Sequence, residues 1–228
     1  MKKIVVLSGS GISAESGLKT FRDMGGLWEE YDVTEVASPL AWENDRTLVL
    51  KFYNERRKAM QQAKPNAAHI GLAELENEYN VQIITQNVDD LHERAGSTRI
   101  LHLHGELNKS RCTVHKEDIY EIDGWELKEG ELSKNGYQLR PHIVWFGEMV
   151  TAIGEAVPMV KSADILLVIG TSLNVYPAAG LLDHTRQDTP IFVIDPGEPQ
   201  GIGWRRVTFI NKTATEGIRD FIEMIHKR

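Results

Sequence analysis

The chain has 228 residues, of which 41% are hydrophobic and 26% charged, and its formal net charge is -7. This composition is ordinary for a globular protein with one large domain, and the negative charge argues against nucleic-acid binding over the whole surface. No run approaches the roughly 18 apolar residues of a membrane span, and the single cysteine excludes an internal disulfide, so we expect no membrane partner and a reducing, cytoplasmic location.

Six short runs rich in β-branched residues predict strands. Their nearly continuous apolar character is typical of strands that are covered on both faces of a sheet. The first run ends in a glycine loop, which favours a buried strand over a signal peptide. The runs occupy residues 4–7, 81–85, 100–103, 165–169, 191–194 and 207–210.

Helical patterns lie between many of these strands. Residues 46–65 carry apolar positions at helical spacing, and residues 66–79 begin with Asn66 as a predicted N-cap. Residues 214–228 are amphipathic, with basic residues in the last turn, as the helix dipole favours. Strands that alternate with helices predict an α/β fold, a Rossmann-like parallel sheet with helices on both faces.

Two segments break this alternation and predict a smaller inserted module. Residues 20–44 are loop-like, and residues 105–140 are polar with no convincing buried strand. A ligand would lie in the crevice between module and sheet, at the carboxyl ends of the strands. We assign residues 1–19, 66–104 and 141–228 to the large domain and residues 20–65 and 105–140 to the module.

The glycine loop "GSGISA", residues 9–14, follows the first predicted strand and matches the dinucleotide-loop pattern G-x-G-x-x-A. Gly9 would permit the tight turn and Gly11 the close approach of a pyrophosphate, which would face the backbone N–H groups of the helix start. The alternative is a strand–turn–helix whose glycines serve turn geometry alone. No strand ending in an acidic residue follows about twenty residues later, which argues against an ordinary dehydrogenase.

Polar side chains gather where the later strands end. Gln86, Asn87 and Asp89 follow one strand, where amide and carboxylate groups are costly unless they face ligand or water. Capping of the next helix by Asn87 or Asp89 is the alternative. His104 ends the next strand before Gly105, a better position for chemistry than that of an isolated histidine.

The ends of two further strands suit a nucleotide. Gly170, Thr171 and Ser172 are small or hydroxylated residues, which favours contact with phosphate or ribose. Asp195 could accept hydrogen bonds from ribose hydroxyl groups, and a turn before Pro196 is an equal alternative.

Four segments, "GSGISAESGLKTFR", "TQNVDDLHERAG", "HLHGEL" and "GTSLNVYPAAG", occur in this order along nearly the whole chain. The first is similar to the motif GAGIS-x-x-SGIP-x-FR, the second to TQNID-x-LH-x-x-AG, and the third contains a catalytic HG pair. Together they resemble the sirtuins, the NAD-dependent protein-lysine deacylases. Asp195 stands where that family usually has Asn, which removes an amide donor.

The resemblance implies a reaction and a site. The acyl oxygen of a substrate lysine would attack C1′ of the nicotinamide ribose, nicotinamide would depart, and the products would be free lysine and O-acyl-ADP-ribose. His104 would be the general base, with Asn87 and Asp89 as further catalytic residues. The NAD-binding residues that the resemblance implies are Gly9, Ser10, Gly11, Glu15, Phe21, Arg22, Gln86, Asn87, Asp89, Gly170, Thr171, Ser172 and Asp195.

The acylated lysine of a protein substrate would meet "RPHIVWFGE", residues 140–148, an expected extended segment against which a peptide could pair. The resemblance implies that Trp145 and Phe146 wall a lysine tunnel. It implies substrate contacts by Val144, Trp145, Phe146, Gly147 and Glu148.

Tyr53 and Arg56 are three residues apart on one helical face, where a hydroxyl and a guanidinium can bind a carboxylate. The pattern Tyr-x-x-Arg resembles the sirtuin subgroup that removes succinyl, malonyl and glutaryl groups, and Ala37 would leave room for the longer chain. Without the resemblance, a surface arginine beside a helix tyrosine is the favoured interpretation.

The segment between His104 and Arg140 usually carries two Cys-x-x-Cys zinc pairs in that family. Here Cys112 and His115 match the first pair, and residues 116–140 contain neither Cys nor His. Because structural zinc sites are closed and four-coordinate, we predict no zinc. The packing residues expected instead are Ile119, Ile122, Trp125, Leu127 and Leu132.

Two other classes of function would also require an NAD pocket. An NAD glycohydrolase or mono-ADP-ribosyltransferase would need neither a lysine tunnel nor Tyr53 and Arg56. A non-catalytic NAD sensor would not need His104.

Overall fold

The structure is a computed structural model that describes residues 1–20, 32–171, 178–197 and 207–227. Within these residues the strands are β1 (Lys3–Ser8), β2 (Asn80–Thr85), β3 (Ile100–His102), β4 (Gly105–Cys112), β5 (Ile119–Glu121), β6 (Leu139–Ile143), β7 (Ile165–Ile169), β8 (Ile191–Ile194) and β9 (Val207–Ile210). The α-helices are α1 (Gly11–Ala14), α2 (Val33–Val36), α3 (Pro39–Asn44), α4 (Arg46–Gln62), α5 (Ala67–Glu74), α6 (Leu91–Ala95), α7 (Ile153–Lys161) and α8 (Ala214–His226). Two 3₁₀ segments, Leu75–Asn77 and Ala178–His184, complete the helical part.

The larger sheet has six parallel strands in the order β3-β2-β1-β7-β8-β9. Counted along the chain within this sheet, the order is 3-2-1-4-5-6, the Rossmann order, which reverses between β1 and β7. All six apolar runs form strands of this sheet, and the predicted parallel fold is confirmed. The reversal opens a crevice at the carboxyl ends of β1 and β7.

Helices cover both faces of the larger sheet. On one face α5 and α8 pack around Leu72 and Phe221, and the Phe221 ring meets Phe192 of β8 edge-on at 5.1 Å. On the other face α7 and the segment Ala178–His184 pack around Val160 and Val168. In the described parts of the chain, no helix combines the length and apolar character that crossing a bilayer requires.

The smaller module contains a three-stranded antiparallel sheet in the order β5-β4-β6. The prediction that residues 105–140 hold no buried strand is therefore wrong. The buried positions of β4 are Gly105, Leu107, Ser110 and Cys112, so small and polar residues fill most of its inner face and no β-branched run marks it. β6 also belongs to this sheet, although most of it lies in residues assigned to the large domain.

Polar side chains of α4 anchor the module. Arg57 is fully buried, and its guanidinium donates to the carbonyl oxygens of Leu107 and Trp125, the latter at 2.9 Å from Nη1. Asn54 bonds both backbone groups of Leu127, at 3.0 and 2.9 Å. These hydrogen bonds fasten the loop after β5 to the helix.

The predicted apolar packing of the module is only partly correct. Leu127 is buried and Ile122 packs against the module core. Ile119, Trp125 and Leu132 are exposed instead. The expectation failed because buried Asn54 and Arg57 hold the loop by hydrogen bonds to its backbone, which needs no apolar side chain there.

Candidate functional site

The carboxyl ends of β1, β2 and β7 meet at the reversal of strand order. Gly9 N donates to the carbonyl oxygen of Ile169 at 3.1 Å, and the Gln86 side chain donates to the Thr171 hydroxyl at 3.1 Å. The Asn87 amide nitrogen lies 3.2 Å from the carbonyl oxygen of Gly9. The strand-end residues predicted from sequence are thus brought to one edge of the sheet.

Glycines of the loops after β1 and β7 are in close contact at this edge. Gly11 N donates to the carbonyl oxygen of Gly170 at 2.8 Å, and a Cβ at Gly11 would come within 2.8 Å of the Gly170 Cα atom. Gly170 has a φ of +62°, and a Cβ at Gly9 would lie 2.6 Å from the Thr171 Cβ atom. Close approach of the two loops therefore requires these glycines.

The helix that begins within the glycine loop, α1, is a single turn. The backbone N–H groups of Gly11, Ile12 and Ser13 donate to the carbonyl oxygens of Gly170, Gly9 and Ser10. The predicted anion contact therefore does not rest on these three groups.

A buried polar cluster lies behind the loop. Ser13 donates its hydroxyl hydrogen to Asp89 Oδ2 at 3.0 Å, and the Asn87 amide lies 3.2 Å from the Ser13 oxygen. The other Asp89 oxygen accepts from Leu91 N at 3.2 Å, but the N-cap of α6 is Asp90, so neither Asn87 nor Asp89 occupies the capping position. Burial raises the pKa of Asp89. Ser13 was missed at the sequence level, although its place inside G-x-G-x-x-A was a usable signal.

His104 has a defined tautomer. Its Nδ1 lies 3.0 Å from the backbone carbonyl oxygen of Gln86. A carbonyl oxygen only accepts, so Nδ1 carries the hydrogen and Nε2 carries the lone pair. Burial lowers the pKa of His104, which keeps the imidazole neutral at pH 7. A neutral imidazole with a free lone pair is the form that a general base requires.

His102 is engaged on both sides of its ring. Nδ1 lies 2.9 Å from the carbonyl oxygen of Asn87, and Nε2 lies 2.8 Å from Glu93 Oε1. Burial alone would lower the pKa of His102, but the hydrogen bond and negative charge of Glu93, together with the hydrogen bond to Asn87, outweigh burial and raise the pKa. His102 thus fixes the backbone of Asn87, whereas His104 keeps one nitrogen for chemistry.

Two predicted cofactor residues have partners within the protein. Glu15 is exposed, and its carboxylate accepts from the backbone N–H of Thr215 at 3.0 Å and from the Thr215 hydroxyl, on the first turn of α8. Asp195 is buried and accepts from Gly197 N at 2.9 Å, which is the turn alternative. The remaining predictions at Phe21, Arg22 and Ser172 lie outside the described residues.

Tyr53 and Arg56 lie on α4, beside the module core. The guanidinium carbon of Arg56 is 5.9 Å from the centroid of the Tyr53 ring. Tyr53 is 1% exposed, and its hydroxyl oxygen accepts from Trp145 Nε1 at 3.0 Å. Burial raises the pKa of Tyr53 to about 12. Ala37 is buried in the same core cluster.

The segment that was expected to be extended over residues 140–148 is a strand as far as Ile143, where β6 ends. Its last residues form a turn instead, in which Glu148 N donates to the carbonyl oxygen of Trp145 at 2.9 Å and Gly147 has a φ of +88°. The expectation is wrong for these last residues because Gly147 allows a tight turn. The N–H groups of Val144 and Phe146 are already bonded, to the carbonyl oxygens of His104 and Ala37 at 2.9 and 3.0 Å. Trp145 is 2% exposed, whereas Phe146 is 50% exposed.

The donor set near Cys112 does not fit a structural zinc. Cys112 is buried and its sulfur accepts from the backbone N–H of His115 at 3.3 Å. The His115 ring packs edge-on against Tyr137, with 5.6 Å between centroids. In the described ranges, no group of three or more His, Cys, Asp or Glu side chains is placed to hold a metal. The absence of zinc stays a prediction.

A family model described as "Sir2 family" matches residues 9–177. A Helicobacter pylori protein described as an NAD-dependent protein deacylase is 53% identical over 224 residues, which cover 97% of this chain and 96% of that protein. A Bacteroides thetaiotaomicron protein with the same description is 50% identical over 230 residues, covering 99% of this chain and 98% of that one.

Solved structures show the same fold. A Sir2 homologue in complex with NAD has a TM-score of 0.90 at 39% identity and covers 99% of this chain and 90% of its own. A Sir2 protein with a deacetylated peptide and 3′-O-acetyl ADP-ribose has a TM-score of 0.82 at 30% identity, covering 97% and 92%.

Proposed function

The chain belongs to the Sir2 family and is an NAD-dependent protein deacylase, and we propose that its acyl pocket is built for acyl groups that end in a carboxylate. Succinyl, malonyl and glutaryl lysine are substrates of this kind. Acylated lysine in proteins is the substrate class. A cytoplasmic location is part of the proposal and is supported by the single, unpaired Cys112.

The crevice between β1 and β7 fits NAD in its chemistry. Asn87 and Asp89 follow β2 beside the strand reversal and bond to Gly9 and Ser13 of the first loop, at the edge of the sheet where a fold of this strand order binds a dinucleotide. When bound, NAD supplies the ribose carbon from which nicotinamide leaves. We propose that Asn87 and Asp89, with the loops at Gly9 and Gly170, hold the dinucleotide, and that His104 Nε2 accepts a proton from a ribose hydroxyl group.

The pairing of Tyr53 with Arg56 carries the proposal on acyl preference. Both side chains project from one face of α4, with 5.9 Å between the guanidinium carbon and the phenol centroid. At neutral pH the Tyr53 hydroxyl keeps its hydrogen and the Arg56 guanidinium keeps its charge. A hydroxyl donor beside a cation binds a carboxylate, whereas an acetyl group offers neither charge nor acceptor at that distance.

Two variants test this proposal on one peptide that carries either succinyl-lysine or acetyl-lysine. Tyr53→Phe and Arg56→Met should each lower the ratio of desuccinylation to deacetylation kcat/KM by at least about tenfold, because each loses a hydrogen bond to a charged group. Lys51→Met, on the exposed side of α4, is the matched control and should leave the ratio unchanged. Equal losses on both peptides would exclude a carboxylate pocket at Tyr53 and Arg56.

The products distinguish the activities. Mass spectrometry of NAD with the succinyl peptide should detect O-succinyl-ADP-ribose and free lysine peptide. Free ADP-ribose without peptide turnover would indicate an NAD glycohydrolase instead, and no consumption of NAD would indicate a sensor.

A further inference from the structure

We propose that Trp145 is a positioning residue for acyl recognition, whose indole N–H orients the Tyr53 hydroxyl so that its hydrogen is donated to the acyl carboxylate. This inference rests on the proposed function. Trp145 Nε1 lies 3.0 Å from Tyr53 Oη. An indole nitrogen only donates, so the Tyr53 oxygen accepts this bond and must direct its own hydrogen elsewhere.

Among the residues that the structure describes, no acceptor is placed against the Tyr53 hydroxyl hydrogen. Within the described residues, the bond from Trp145 is the one hydrogen bond that the Tyr53 hydroxyl makes. The side chain is buried, so bulk water does not fill the gap. A buried donor without a partner is costly, and a carboxylate is a group that only accepts. The acyl carboxylate would therefore supply the missing acceptor.

Three neighbours, Glu148, Arg140 and Trp42, hold Trp145 in place. Its backbone N–H donates to Glu148 Oε2 at 2.8 Å. The guanidinium carbon of Arg140 lies 3.2 Å from the centroid of the indole ring, and Arg140 donates to both Glu148 oxygens at 2.9 and 3.0 Å. Trp42 packs beside the indole, with 5.8 Å between ring centroids. Rotation of the indole would break the stacking on Arg140, so the direction of its N–H is fixed.

The charged residues around Trp145 also favour an anion in the acyl pocket. Arg111 also donates to Glu148, at 3.1 Å, so two guanidinium groups stand against one carboxylate. The net positive charge beside Trp145 adds to that of Arg56. A charged acyl group gains from this field and a neutral acetyl group does not.

The test uses full-length enzyme with the succinyl and acetyl forms of one peptide at saturating NAD. Trp145→Phe keeps an aromatic ring and removes the N–H donor, so the succinyl-to-acetyl ratio of kcat/KM should fall about tenfold, mainly through a higher KM for the succinyl peptide. In a Tyr53→Phe background, Trp145→Phe should produce no further fall in the ratio, because its effect passes through the Tyr53 hydroxyl.

Trp125→Phe is the matched control, since it makes the same indole-to-phenyl change at an exposed side chain of the module, away from Tyr53 Oη and Trp145. It should leave the ratio unchanged. If Trp145→Phe also leaves the ratio unchanged, while Tyr53→Phe and Arg56→Met lower it, the positioning inference is overturned and the proposed function stands. If all three variants leave the ratio unchanged, both are overturned.

A second measurement covers a Trp145→Phe protein that does not fold. In the ¹⁵N-labelled enzyme, the indole N–H resonance of Trp145 should shift when Tyr53→Phe removes its acceptor, and should shift again when succinyl peptide binds to the wild type. An indole resonance that Tyr53→Phe does not move would overturn the inference.

Discussion

His104 Nδ1 donates to the backbone carbonyl oxygen of Gln86 at 3.0 Å. This hydrogen bond joins the residues that follow β3 and β2, two adjacent strands of the larger sheet. Because the carbonyl belongs to the backbone, its position does not depend on any side chain. The free Nε2 atom is therefore aimed by the fold of β2 itself.

Replacing His104 with Asn should abolish proton acceptance at this position. We expect the rate of deacylation of every acyl peptide to fall by about 10²–10⁴-fold, the usual contribution of a general base to the rate. The thermal midpoint should stay within a few degrees of the wild type, since the side chain is only partly buried. A steady-state assay with a melting curve measures both, and activity within threefold of the wild type would contradict the role.

The pH profile gives a second expectation for His104. Burial lowers its pKa, and the neutral form is the active base. Activity lost through His104 protonation should therefore appear only below the ordinary histidine value of about 6.5. A kcat/KM profile for the peptide, measured from pH 5 to 8, checks this. An acid limb above pH 6.5 would argue against the buried, neutral state.

Stability should fall in mild acid because of a buried histidine pair. His69 and His92 meet edge-on at 5.0 Å, and burial lowers the pKa of His69 to about 4. Burial, with His69 next in importance, also lowers the pKa of His92. An unfolded histidine binds a proton as pH falls through about 6.5 and the folded His69 does not until about pH 4. The free energy of unfolding should therefore drop between these values, by about 3 kcal/mol from His69.

Urea unfolding at pH 7 and pH 5 measures this drop. His69→Gln should reduce the difference between the two pH values, because it removes one group that gains a proton on unfolding. His184→Gln, at an exposed histidine, should leave the difference unchanged. A wild-type protein equally stable at both pH values would contradict the expectation.

Arg57→Met should loosen the module. The variant leaves the carbonyl oxygens of Leu107 and Trp125 without their donor and removes a hydrogen bond to Asn54. We expect a loss of about 3 kcal/mol in the free energy of unfolding. Lys51→Met on the exposed side of α4 should cost under about 0.5 kcal/mol. Similar urea midpoints for the two variants would show that Arg57 does not anchor the module.

Metal removal should have no effect on stability. The Cys112 and His115 side chains do not converge on a closed site, so dialysis against a strong chelator should leave the thermal midpoint unchanged. Elemental analysis of the purified protein should find zinc well below one equivalent. A stoichiometric zinc that is lost together with stability would overturn this prediction.

The large sheet was predictable from sequence because its strands are covered on both faces, and runs such as residues 165–169 are apolar without interruption. β4 was not predictable. Its inner positions include Gly105, Ser110 and Cys112, which bury well without an apolar pattern. The two-residue period of a half-buried strand is not visible in the sequence as alternating apolar residues when the buried residues are small or polar.

Within the site, the strand-end residues were predictable because a parallel sheet brings carboxyl ends to one edge. Their partners were not. Trp145 and Tyr53 are 92 residues apart, and Glu15 and Thr215 are 200 apart. No local pattern encodes such pairs, so the sequence could not show that Trp145 is buried against a hydroxyl or that the Glu15 carboxylate bonds to α8.

Neighbouring residues of α4 have two different roles. In the proposed function Tyr53 and Arg56 bind the acyl group, while Asn54 and Arg57, each one position later, form hydrogen bonds to the loop at residues 125–127. A chimaera that exchanged α4 alone with a relative would gain new acyl contacts. The exchanged helix would lack the matching hydrogen bonds to the loop at residues 125–127. Redesign of acyl preference in this enzyme therefore has to treat the helix and that distant loop as one transplantable unit.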